Sequence, residues 1–108
     1  MTNQGDAQKS PVVSFVAIPA SGPLAGEPFR LVVDGRGLPP SVRLDGWLEV
    51  PIGQPVRPGF HLMTDSSGDF HHSIEIGAAP PRGTFTCSLR LEIPGGRQVQ
   101  RALTLQSR

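Results

Sequence analysis

The sequence predicts an all-β fold, an antiparallel β-sandwich of about seven short strands. Three observations carry the prediction. In TFTCSLRLEI (84–93), Phe85, Cys87, Leu89, Leu91 and Ile93 alternate without a break with Thr84, Thr86, Ser88, Arg90 and Glu92, the period of a strand with one buried face. Six further β-rich runs follow one another at spacings of about a dozen residues, separated by residues that form turns. No window sustains the periodicity of an amphipathic helix.

Taken in order, residues 1–10 (MTNQGDAQKS) hold no apolar pattern and read as a flexible tail, leaving 11–108 as one domain. VVSFVAI (12–18) is a short β-rich run, ended by Pro19 and the loop ASGPLAGEP. Phe29, Leu31 and Val33 then alternate with Arg30, Val32 and Asp34 before the loop GRGLPPS (35–41). In VRLDGWLEV (42–50), Val42, Leu44, Leu48 and Val50 share one face, and Arg43, Asp45, Trp47 and Glu49 the other. Pro51, Gly53 and Pro55 interrupt the chain. A short strand is expected from Arg57 to Thr64, with an edge position or irregular start at Pro58. The turn TDSSGD (64–69) leads into FHHSIEI (70–76), and the loop GAAPPRG (77–83) into the strictly alternating run. PGGR (94–97) has the glycine content of a hairpin turn. QVQRALTLQ (98–106) aligns Val99, Leu103 and Leu105, and Arg101 interrupts that face, so a bulge or an exposed strand end is expected there. A flattened barrel is the alternative, because sandwich and barrel differ in closure rather than in local pattern.

Composition narrows the classes. A chain of 108 residues has room for one core, and hides about two-thirds of its unfolded surface. Gly and Pro together number 25, yet they fall between apolar runs as turn punctuation rather than clustering as in a disordered segment. The formal net charge is +1, with Lys9 the one lysine among ten basic residues. That balance gives no electrostatic footprint for nucleic acid. Locally, Arg82, Arg90, Arg97, Arg101 and Arg108 face only Glu92; a solvated strand face accounts for this, and an anionic partner is the other reading. Cys87 is the single cysteine, so no internal disulfide staples the domain. No run reaches the roughly 18 apolar residues of a membrane span. Residues 1–10 carry no apolar stretch of signal type, so the expected location is the cytoplasm or an assembled particle, and the extracellular space if a leader has been removed.

The stretch 18–44 resembles the opening of bacterial Ig-like, IPT/TIG-type domains, through Pro19, Ser21-Gly22-Pro23, Gly26, the strand Phe29–Asp34 and Gly35-Arg36-Gly37-Leu38. TDSSGDF (64–70) followed by PPRGTFTCSL (80–89) is similar to the turn pattern that leads into their penultimate strand. The resemblance covers nearly all of 12–106 and implies an immunoglobulin-like β-sandwich. Its motifs are turn and core residues, so it implies nothing about a ligand. The tyrosine corner and the paired cysteines of antibody-type domains are absent, since the chain has no Tyr and one Cys.

Few residues could carry chemistry. His71 and His72 are adjacent and point to opposite faces of a strand, while His61 lies on another run and could pair across strands with one of them. No third ligand joins them, so neither a metal nor another cofactor is expected. Ser73, His71 and Asp69 are close in sequence, but a triad requires mutual hydrogen bonds and an oxyanion hole. No nucleophile elbow, phosphate loop or metalloprotease motif occurs, so no catalytic residue is assigned and the chain is read as a non-enzyme. Asp65 and Asp69 fit a turn in which Asp bonds its own backbone. Cys87 reads as a core residue.

Trp47 decides whether the sandwich shows a site. By alternation it lies outside with Arg43, Asp45 and Glu49, where a Trp can stack on a sugar or anchor a protein. A bulge at Gly46 would instead turn it into the core, and this burial is the expected outcome. The binding residues assigned are Trp47, Arg43, Glu49, Arg90 and Arg101. The function expected is a non-catalytic protein–protein interaction or structural module, such as an accessory or decorating subunit of a phage particle or secretion machine. The alternative is a carbohydrate-binding module built on an exposed Trp47.

Overall fold

The computed structural model describes residues 11–52, 54–56 and 59–108, so the tail read at 1–10 lies outside the described residues. Among the described residues eight strands form: β1 (Val12–Ile18), β2 (Phe29–Arg36), β3 (Arg43–Ile52), β4 (Gln54–Val56), β5 (Gly59–Met63), β6 (Phe70–Ile76), β7 (Gly83–Ile93) and β8 (Arg97–Ser107). Each of the seven runs expected from the sequence holds a strand among the described residues, and the irregular start expected at Pro58 lies outside them. The eighth, β4, folds back on the end of β3 through the pairs Val50↔Val56 and Ile52↔Gln54. Among the described residues no helix is long and apolar enough to cross a membrane.

The strands lie in two antiparallel sheets, β1-β2-β6 and β4-β3-β7-β8, with β5 also paired to β3. Among the described residues no backbone ladder joins them, so the closure is that of a sandwich. Alternation supplies the core. Val13, Phe15, Ala17, Phe29, Leu31 and Val33 point inward from the smaller sheet, and Leu44, Leu48, Val50, Cys87, Leu89 and Leu91 from the larger. Phe29 and Phe85 meet edge to face across the layers, ring centroids 6.0 Å apart, a geometry that suits the quadrupoles of two aromatic rings.

Two expectations about bulges are corrected. The ladder between β3 and β7 runs Asp45↔Glu92, Gly46↔Leu91, Trp47↔Arg90 without an extra residue, so Trp47 keeps its outward parity and does not enter the core. Gly46 answers a different need. It lies opposite Phe60 on β5, and a Cβ at this position would overlap the Phe60 ring. The glycine leaves room for an aromatic to lie across the strand. Gly35 and Phe70 repeat the device on β2 and β6. The β7–β8 ladder is likewise unbroken through Leu89↔Arg101. Arg101 tolerates the inward parity because its guanidinium leaves the core at the sandwich side and its Nε donates to the Val13 carbonyl of β1, 3.1 Å away.

That contact closes one side of the sandwich, and the opposite side is closed by aromatics. Phe60 of β5 stacks on His72 of β6, centroids 4.7 Å apart and planes 11° from parallel. At one end, Asp65 Oδ1 accepts from the amides of Ser67 (2.8 Å) and Asp69 (2.9 Å), as expected for this turn. Gly68 adopts a φ of +80° there, packed against the Leu38 backbone where no side chain fits. At the other end, the Arg108 amide donates to the Pro23 carbonyl, and the Ala25 amide donates to the Arg108 carbonyl. Ser107, buried, donates its hydroxyl to the Pro80 carbonyl at 2.7 Å.

Gly46→Ala is expected to destabilise the domain by about 1–3 kcal/mol through displacement of Phe60. In a Phe60→Ala background the same substitution should cost clearly less. Denaturant titrations of the four proteins measure this, and equal costs in both backgrounds would reject the fit between ring and glycine.

Burial lowers the His72 pKa below its ordinary value of 6.5, and the charge of neighbouring His71 lowers it further. The unfolded chain therefore takes up this proton first as the pH falls. Stability held above the unfolded pKa is lost as pH drops through about 6.5 toward the folded value, and levels off below that. Denaturation midpoints against pH should show this step, and His72→Gln should remove it.

Candidate functional site

The outer face of the larger sheet is a grid set by strand register. Trp47 of β3 lies opposite Arg90 of β7, which lies opposite Gln100 of β8. The next row is Glu49, Ser88 and Ala102, and the row on the other flank is Asp45, Glu92 and Gln98. The Arg90 guanidinium sits over the indole of Trp47, 4.5 Å from the ring centroid. Half-buried in this way, Trp47 is neither the core residue expected nor a fully open platform. Such a cation–π stack holds both planes in fixed orientation. Among the described residues Arg90 has no carboxylate in ion-pair distance.

Beside this stack the small side chains of Ser88 and Ala102 leave a hollow of about 520 Å³, lined also by Glu49, Gln100 and Arg101. Trp47, Glu49, Arg90 and Arg101, assigned from the sequence, therefore meet at one place. Ser88, Gln100 and Ala102 were not assigned; their outward parity on β7 and β8 was visible, but the cross-strand neighbours that make them lining residues were not.

Arg43 lies apart. Its Nε reaches Asp45 Oδ1 at 3.3 Å, and its guanidinium contacts the His61 ring. His61 Nδ1 also bonds Asp45 Oδ1 at 2.8 Å. The bond from His61, helped by Arg43, holds the Asp45 carboxyl below the ordinary range. The histidines do not converge: His61 joins Asp45, His71 pairs with Asp34 rather than Asp69, and His72 stacks on Phe60. Among the described residues no group of three or more metal-ligating side chains gathers. Cys87 is buried, and burial pushes its thiol up to about 11, away from the reactive thiolate.

No family model and no curated protein matches the chain. A solved structure, macromomycin, has a similar fold. It superposes with a TM-score of 0.56 over 89% of this chain and 99% of that chain, at 21% sequence identity. At this identity the likeness concerns the fold alone.

Trp47 is the one tryptophan of the chain, so its emission reports on the stack directly. Arg90→Ala is expected to shift that emission to longer wavelength and to raise its quenching by acrylamide. Spectra and quenching unchanged from wild type would show that Arg90 does not cover the ring in solution.

Proposed function

We propose that the domain is a non-catalytic module that binds a protein partner through the outer face of its larger sheet, as an accessory or decorating subunit of an assembly would. The observation that carries this reading is the Trp47–Arg90 stack at the rim of the hollow. Trp and Arg dominate the energetics of protein interfaces when held rigidly at the centre of a patch. Here Glu49, Ser88 and Gln100 provide the polar surroundings such anchors have.

A kinship with bacterial Ig-like, IPT/TIG-type modules is part of the same proposal. Its support is the strand arrangement: first, second and sixth strands in one sheet, third, seventh and eighth in the other. This matches the A-B-E and C-F-G sets of immunoglobulin-like sandwiches. Trp47 departs from that pattern by facing outward from the third strand.

Glycan binding is the second reading, favoured by the size of the hollow, which falls within the range of small-ligand pockets. Against it, Arg90 already occupies one face of the indole that a sugar would use. Affinity capture from the native host should retain a protein on the wild-type domain, and Trp47→Ala and Arg90→Ala should each weaken that retention by at least about 30-fold, the scale of a hot-spot truncation. Retention by both variants would sink the reading. Trp47-dependent signals on a glycan array, with no protein retained, would replace it by the second.

A further inference from the structure

We propose that the outer face of the smaller sheet is a self-association surface, on which a second copy of this chain packs about a two-fold axis. The surface lies on the opposite side of the sandwich from the hollow, so the inference stands apart from the reading of the larger sheet. Strand register sets the face out in rows. Val12 of β1 lies opposite Arg36 of β2, and Ser14 lies opposite Asp34, which faces His71 of β6. The next rows are Val16, Val32 and Ser73, then Ile18, Arg30 and Glu75. Five large hydrophobic side chains are exposed among the described residues. Three of them, Val12 (56%), Val16 (46%) and Ile18 (53%), stand on this one face of β1. Single exposed apolar side chains are ordinary on a protein surface, whereas several aligned on one face point to a partner.

The charges on either side of the Val16–Val32 row select a second copy as that partner. Arg30 pairs with Glu75 at 2.7 Å on one flank, and His71 pairs with Asp34 on the other. A two-fold interface presents the same patch twice, so each row meets a row of the same patch. An axis running across the strands, along the Val16–Val32–Ser73 row, lays the Ser14–Asp34–His71 row on the partner's Ile18–Arg30–Glu75 row. Arg30 then faces the partner's Asp34, Glu75 faces the partner's His71, and Val16 and Val32 meet their own copies at the centre. An axis along the strands would instead set Arg30 on Arg30 and Asp34 on Asp34. Moving the axis to either neighbouring row repeats one of those clashes. Like charges across an interface oppose association, so the pattern singles out one arrangement.

Shape agrees with charge. Ser14 is small, and with Val12, Asp34 and Arg36 it borders a hollow of about 320 Å³. In the arrangement chosen by charge, Ser14 lies under the partner's Ile18, so this exposed side chain enters the hollow, and symmetry makes the contact twice. Seven residues at about 3.3 Å each and three strands about 4.8 Å apart give a face of roughly 23 by 14 Å. That is well below the ~800 Å² that each partner of a standard interface buries. The dimer is therefore a weak, reversible one. Its two larger sheets face away from the axis and leave both Trp47 faces open.

Sedimentation velocity of the full chain, from micromolar to millimolar concentration, tests the proposal. The wild-type mass should rise from monomer toward dimer. Arg30→Glu and Asp34→Arg, both at surface positions outside the core, should each weaken self-association at least about tenfold, because each sets like charges against the partner. An equimolar mixture of the two variants should regain the dimer, since one variant's position 30 then faces the other's position 34 with opposite sign at both contacts. Recovery on mixing also shows that both variants are folded. Val16→Glu, which brings two carboxylates together at the axis, should keep the chain monomeric. A wild-type chain that stays monomeric throughout overturns the proposal. So do single variants that dimerise as the wild type does, or a mixture that remains monomeric.

Discussion

Strand β7 is paired on both long edges, by β3 and by β8, with no residue out of step. This constraint governs the rest of the molecule. A ladder with period two allows each side chain only one face, and a slip by one position would exchange the whole set. Because Leu89, Leu91 and Cys87 fill the core, their neighbours Ser88, Arg90 and Glu92 are committed to the outside. The pairing then commits Trp47 as well, since it stands opposite Arg90. The outer face is thus a by-product of the inner one. The core requires the parity, and the parity places an indole under a guanidinium and two small residues beside them.

Most of the fold was legible because alternation and turn residues are local properties. Thr84 to Ile93 reads as a strand from ten letters, and Gly68 and Asp65 mark their turn by chemistry that needs no distant partner. Where the reading failed, the cause was a partner far along the chain. Gly46 reads as a bulge from the sequence because a glycine inside a strand usually marks either a bulge or a close approach. The choice between them depends on Phe60, fourteen positions away. Arg101 interrupts an apolar face, which by itself points to a bulge or an exposed strand end, because the Val13 carbonyl that receives it lies on another sheet. The candidate site followed this division. Trp47, Glu49 and Arg90 follow from parity, and Arg101 from the run of arginines near the end of the sequence. Their assembly into one hollow, and the separation of Arg43 from it, depended on register between strands and on Asp45 and His61 drawing Arg43 aside.

The two sides of the sandwich are closed by different chemistry, and the difference separates stability from recognition. On the β5–β6 side an imidazole lies against a phenyl ring, and its neutral form is the one that packs. Acid therefore weakens this side first. On the β1–β8 side a guanidinium bonds a carbonyl. This closure lies beside the hollow, which Arg101 also lines, so the surface proposed for binding adjoins the closure that does not involve His72. The His72 side can loosen without moving the register of β3, β7 and β8, because that register is set by the ladders on β7 and by the apolar parity beneath it.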